Sequence, residues 1–146
     1  MFRGRFEHAI DVKCRLSIPA LFREVLSTHY DERLVITNFN GALWAYPVAE
    51  WERFEERVAA LPQFKKEVMA LQRVFISGAT ECPIDSSGRI LLPPTLREYA
   101  AIERDVIVVG TLRRIEIWAR ERWEKIFENA QSALEEMGET LADLGL

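Results

Sequence analysis

The chain contains the same phrase twice. Residues 11–23 read DVKCRLSIPALFR and residues 85–97 read DSSGRILLPPTLR. At an offset of 74 residues Asp11 meets Asp85, Arg15 meets Arg89, Pro19 meets Pro93 and Arg23 meets Arg97. Leu21 and Thr95 break the match, with Phe22 and Leu96 beside them, and Trp44 and Trp118 keep the same offset. A repeat this long implies a duplicated unit. The element D-x-x-x-R-x-x-x-P-x-x-x-R brackets a turn with an acid and an arginine, and function is expected to sit there.

Both halves follow one plan. A short strand (Phe6–Ile10; Ala79–Ile84) leads into a polar turn that holds the aspartate. A second strand begins at the arginine (Arg15–Ile18; Arg89–Leu92). Proline then opens a helix, Pro19 in PALFREVL and Pro94 in PPTLREYA, because a missing N–H is harmless in the first helical turn. Two more strands follow: Arg33–Thr37 and Ala42–Tyr46 joined through Asn38-Phe39-Asn40-Gly41, then Val106–Val109 and Arg114–Trp118 around Gly110. Asn-Gly supplies the positive φ of a tight hairpin, and Val and Ile runs with a Trp suit half-buried strands. A helix follows each hairpin. Trp51, Phe54 and Val58 share one helical face, as do Trp123, Phe127, Ala130 and Leu134. These stripes are expected in the core or at a subunit interface. Residues 64–78 predict a further helix that links the halves, set off by Pro62, and the tail beyond Gly138 reads as a loose helical end.

This divides the chain into a first repeat at 5–50, a helical linker at 51–78, a second repeat at 79–122 and a C-terminal helix and tail at 123–146. Four short strands and a small helix bury too little to stand alone. The halves are therefore expected to complete one another. The predicted fold is β-rich α+β: a pseudo-two-fold barrel in which strands of the two halves interleave, with flanking helices.

Size and composition narrow the class. A chain of 146 residues, 49% apolar and 29% charged, fits one compact unit or two small intertwined ones. No apolar run approaches the roughly 18–20 residues that span a bilayer, and the opening MFRGRFEH is not a secretory signal. A cytoplasmic location is expected, where Cys14 and Cys82 stay reduced thiols. Neither cysteine has zinc-site spacing, and no metal or cofactor is expected. The formal net charge is −4, yet residues 1–23 hold five cations against two acids, and residues 120–146 hold seven acids against three cations. Such segregation permits a cationic face on an acidic protein, although charge alone favours an ordinary solvated surface.

Arg15 and Arg89 carry the most informative chemistry. A guanidinium fork can grip phosphate or pair with O6 and N7 of guanine, and a two-stranded ribbon is slim enough for the major groove. One reading sets these arginines, with Lys13, Arg3 and Arg5, on a cationic edge facing double-stranded DNA. The other pairs Asp11 with Arg15 and Asp85 with Arg89 to stiffen each turn; both can hold together. Asp11 and Asp85 are assigned to turn formation, where an Asp side chain accepts backbone N–H bonds. No catalytic set assembles, since neither His8 nor His29 has a counterpart in the other half. Arg23 and Arg97 either hold phosphates or cover their helices. Arg113 and Arg114 are expected to be solvated or at a subunit contact. Cys14 is either a redox-sensitive thiol beside two cations or a tolerated substitution of a turn glycine.

The opening MFRG, the first D-x-K-x-R-x-x-x-P, the segment YPVAEWE at 46–52 and the stretch GATECPIDSSGR at 78–89 together resemble the MraZ family of bacterial transcriptional regulators. That family is built from two AbrB-like (SpoVT-AbrB, swapped-hairpin) domains. The resemblance implies binding to short direct repeats upstream of a division and cell-wall gene cluster, association with the nucleoid, and assembly into a homo-oligomeric ring. It implies DNA contacts at Arg3, Arg5, Lys13, Arg15, Arg23, Arg89 and Arg97, around turns formed by Asp11, Asp85 and Gly88. Two departures stand out. The family's glycine after the lysine is Cys14 here, and the counterpart of Lys13 in the second copy is Ser87. The alternative is an AbrB-like antitoxin or partner-binding module, for which the acidic tail after Gly138 is the one candidate arm.

Overall fold

Residues 1–146 are all described in a computed structural model. The first half contains β1 (Phe2–Ala9), β2 (Arg15–Ser17), α1 (Ala20–His29), β3 (Arg33–Phe39), β4 (Ala42–Pro47) and α2 (Val48–Ala59). A connection of α3 (Lys66–Leu71) and a π-helical turn (Gln72–Ile76) leads to the second half. That half contains β5 (Thr80–Pro83), β6 (Arg89–Leu91), α4 (Pro94–Tyr99), β7 (Asp105–Leu112), β8 (Ile115–Ala119) and α5 (Arg120–Glu135), and α6 (Gly138–Asp143) ends the chain. Prolines 19, 47 and 93 stand at the caps of α1, α2 and α4, where their fixed φ suits a helix start. No helix is long and apolar enough to cross a membrane.

Six strands form one antiparallel sheet in the order β1-β7-β8-β4-β3-β5, and β2 pairs with β6 in a separate ribbon. The order reads the same from either end once the halves are exchanged. β1 runs along β7 from Phe2 opposite Leu112 to Ala9 opposite Asp105, while β5 runs along β3. Each half thus completes the other's hairpin, which is the expected interleaving. The expected pseudo-two-fold barrel does not close. β2 and β6 pair with each other across the approximate two-fold, so no strand bridges the edges β1 and β5, and the sheet stays open.

Leu16 pairs with Ile90 on that two-fold, 74 residues apart. The offset does not persist. Ile10 N donates to Arg104 O at 2.9 Å and Ile84 N to Glu32 O at 3.0 Å, so the donors are 74 apart and the acceptors 72. The second copy has lost two residues around its shorter helix, six residues in α4 against ten in α1. Trp44 is therefore equivalent to Glu116, which it faces across β4 and β8, and not to Trp118 as the sequence offset suggested.

Along β3, Leu34 and Ile36 face one side while Val35 and Thr37 face the other, the period of two that a strand imposes. The inner side joins a core cluster of 21 residues drawn from the sheet, the ribbon, α1 and α4, so the core belongs to neither half alone. Phe2 and Phe6 meet Phe22 edge to face at 5.5 and 5.2 Å. On the outer side α2 and the π-helical turn cover β3 and β4 through Trp51 and Phe75, and α5 covers β7 and β8 through Trp123. Thr37 Oγ1, buried there, donates to Phe75 O at 2.6 Å.

Two further expectations change in detail. The β7–β8 hairpin turns at Leu112 and Arg113, with Leu112 at φ 73°, and not at Gly110. Gly110 lies inside β7, where an added Cβ would stand 2.6 Å from the Phe2 carbonyl carbon; its role is the close approach of β1. Of the α5 stripe, Trp123 and Phe127 pack with tilted rings 5.5 Å apart, but Ala130 and Leu134 are exposed.

Candidate nucleic-acid interface

Each repeated aspartate closes its own turn. Asp11 Oδ1 accepts from Lys13 N and Arg15 N, both at 2.9 Å. Asp85 Oδ1 accepts from Ser87 N at 2.9 Å and Arg89 N at 3.0 Å. Backbone bonds repeat as well: Cys14 N to Asp11 O and Gly88 N to Asp85 O, each 3.0 Å. Both carboxyls lie below their ordinary pKa, chiefly because backbone N–H groups of Arg15 and Arg89 stabilise the anion. The tightest point of the turn is left-handed in both copies, φ 62° at Cys14 and 77° at Gly88. Two reciprocal bonds then tie each turn to the other strand, Ile18 N to Gly88 O at 2.9 Å and Leu92 N to Cys14 O at 3.0 Å.

The turns and the ribbon thus form one lip at the two-fold. Leu16 and Ile90 point into the core, so Arg15 and Arg89 point outward, each with 30% of its side chain exposed. Arg15 Nε donates to Asp11 Oδ2 at 2.7 Å, which leaves its Nη groups for another acceptor. Arg89 Nε stands 3.4 Å from Asp85 Oδ2, and its Nη1 is 3.9 Å from Asp11 Oδ2. Asp11 therefore hydrogen-bonds the arginine of its own copy and stands at the edge of ion-pair range of the other. The ion-paired and the outward-facing arrangements coexist.

The helix arginines cross over. Arg23, on α1, donates from Nε to Ile18 O at 3.1 Å and lies over the second copy's turn. A Cβ at Gly88 would stand 2.6 Å from Arg23 Nη1. Arg97, on α4, reaches the first copy's turn and donates from Nη1 to Cys14 Sγ. Lys13, Arg15, Arg23, Arg89 and Arg97 are brought together with Asp11, Asp85 and Gly88. Arg5 is placed elsewhere: its guanidinium lies 4.6 Å above the Phe127 ring of α5, on the outer side of the sheet. Arg3 lines a surface groove with Met1, Leu21 and Val25.

Other charged groups serve the framework. Arg114 stacks 3.7 Å above the Trp44 ring and pairs with Glu116 at 2.9 Å, while Arg113 stands 3.6 Å from Glu50. Burial pushes the Cys82 thiol up to about 11 and lowers the His8 pKa. The crossing of Arg23 and Arg97 was the part of the site that sequence reasoning missed. Their equal spacing from Arg15 and Arg89 was visible, but not that each serves the opposite turn.

Two interleaved copies of one strand–turn–strand–helix unit, sharing a sheet and a cationic ribbon, define a duplicated, β-rich α+β protein whose halves meet in one composite lip. The profile of a family described as "MraZ protein", antitoxin-like, matches residues 1–74 and again 75–144. The chain is 48% identical over 147 residues to the transcriptional regulator MraZ of Heliobacterium modesticaldum, covering 100% of both. It is 45% identical to that of Pelotomaculum thermopropionicum (100% of this chain, 99% of the relative) and 38% to that of Natranaerobius thermophilus (100% of each). The chain belongs to the MraZ family.

Proposed function

We propose that this protein is a sequence-specific, DNA-binding transcriptional regulator that acts on direct repeats upstream of its own division and cell-wall gene cluster. The observation that carries the reading is the lip: two partly exposed arginines on one ribbon face, joined by Lys13, Arg23 and Arg97. Relatives that match over the full length carry the name transcriptional regulator. The segments 5–50 and 79–122 act as the two SpoVT-AbrB-like, swapped-hairpin domains, and the lip at their junction enters the major groove as a ribbon.

The mechanism is avidity. One lip holds few cations and two opposing carboxylates, so a single protomer binds weakly. A cytoplasmic, nucleoid-associated ring of protomers presents successive lips to successive repeats, and linked contacts multiply affinity. Each phosphate neutralised releases counterions, so binding falls steeply with salt. No step uses a cofactor or makes a covalent intermediate. The test is a salt-dependent gel shift on the DNA just upstream of the gene, paired with a solution mass. Affinity for that DNA equal to that for unrelated duplex at every salt concentration rejects the reading.

A further inference from the structure

The outward face of the ribbon is symmetric in its arginines and asymmetric in their neighbours. Arg15 lies opposite Leu91, and Ser17 opposite Arg89. With Leu16 and Ile90 turned inward, these four residues share the outer face. The two-fold carries Arg15 onto Arg89, but it carries Leu91 onto Ser17, Val12 onto Ser86 and Lys13 onto Ser87. Around Arg15 stand two aliphatic side chains and a lysine. Val12, at the tip of the turn, is 100% exposed, and Leu91 is 62% exposed. Around Arg89 stand three exposed hydroxyls, Ser17, Ser86 and Ser87.

Exposed aliphatic groups on a cationic lip gain nothing from water. In the major groove the apolar group available to them is the C5-methyl of thymine. Hydroxyls beside an arginine suit phosphate oxygens, which carry no sequence information. Resting on the DNA-binding reading above, we propose that Val12 and Leu91 are specificity-determining residues that contact thymine methyls beside the base met by Arg15, while the Arg89 side holds phosphates. One protomer then docks in a single polarity on a non-palindromic site, although its fold is nearly two-fold symmetric. Leu91→Ser and Val12→Ser each install the residue that the other copy already carries at that position, so the fold accommodates both.

The experiment is an anisotropy titration of the full chain on its upstream DNA, with thymines replaced singly by deoxyuridine. Wild type should bind about fourfold more weakly wherever a contacted methyl is removed, the equivalent of roughly 0.8 kcal/mol per buried CH₂. Val12→Ser and Leu91→Ser should bind the thymine duplex more weakly by a similar factor, and each should become indifferent to one deoxyuridine position. Variants that keep the full wild-type discrimination overturn the inference. So do variants that change the solution mass at unaltered DNA affinity, which would place the pair in a subunit contact. Wild type that binds with steep salt dependence yet ignores every methyl defeats this inference alone. Wild type that binds no duplex even at low salt defeats the DNA reading beneath it.

Discussion

At Asp11–Arg15 and at Asp85–Arg89 the chain makes the same turn with different residues in the middle. The bonds that the aspartate carboxylate accepts from the backbone N–H of the second and fourth residues onward agree within 0.1 Å in the two copies. Val12, Lys13 and Cys14 occupy the first turn; Ser86, Ser87 and Gly88 occupy the second. Cys14 holds the left-handed conformation that Gly88 adopts without strain. The arginine overhead differs to match: Arg97 touches the Cys14 sulfur, while Arg23 occupies the space that a Cβ on residue 88 would need. The aspartate carboxylate, by accepting backbone N–H bonds, sets the geometry, whereas the intervening side chains are free to set charge, apolarity and contact with the crossing helix.

The largest effect should fall where the copies are most alike. Leu16→Ala and Ile90→Ala remove side chains with 0% and 1% exposure on the two-fold, and each should destabilise by about 2–5 kcal/mol. Urea denaturation midpoints that separate the two by most of that range would break the equivalence. Gly88→Val comes next. The substitution strains φ and displaces Arg23, for about 1–3 kcal/mol, whereas Cys14→Ala should cost far less because position 14 already holds a Cβ and alanine adds no branch to it. Thermal melts of the two variants compare them directly. For DNA, Arg15→Ala should weaken binding by about 1–3 kcal/mol if Arg15 meets a base, and Arg89→Ala by less. A gel-shift titration with equal losses would show both copies reading sequence alike.

Cys14→Gly should stabilise by up to about 1 kcal/mol, since it relieves a left-handed residue at the expense of the Arg97 contact. The smallest effect is that of pH. Asp11 and Asp85 have folded pKa values below their unfolded ones, so their stabilisation is fully present above the ordinary carboxylate value of about 3.9 and is lost as pH falls through the folded values. Asp11→Asn should flatten the fall in urea midpoint between roughly pH 5 and pH 2; an unchanged slope would remove Asp11 from that titration.

Local rules were legible from residue types. Proline starts, the Asn40-Gly41 hairpin and the alternation along β3 depend on neighbours within a few positions, and each forms where the residues indicate. The Gly110 turn was misread because a glycine signals either a turn or a close approach, and only the presence of β1 distinguishes them. Trp44 and Trp118 were misaligned because two residues were lost between them, which a constant offset conceals.

Taken by itself, the amino-acid order determined that a unit was duplicated, that an aspartate-to-arginine turn recurs, and which cations lie within it. Tertiary structure alone decided that β1 would join β7 and β5 join β3, that the ribbon would leave the sheet open, and that Arg23 and Arg97 would each cover the other copy's turn while Arg5 went to α5. The physical reason is that backbone hydrogen bonds are nearly indifferent to which strand supplies the partner. The choice falls to the burial of one shared core that neither half could close alone.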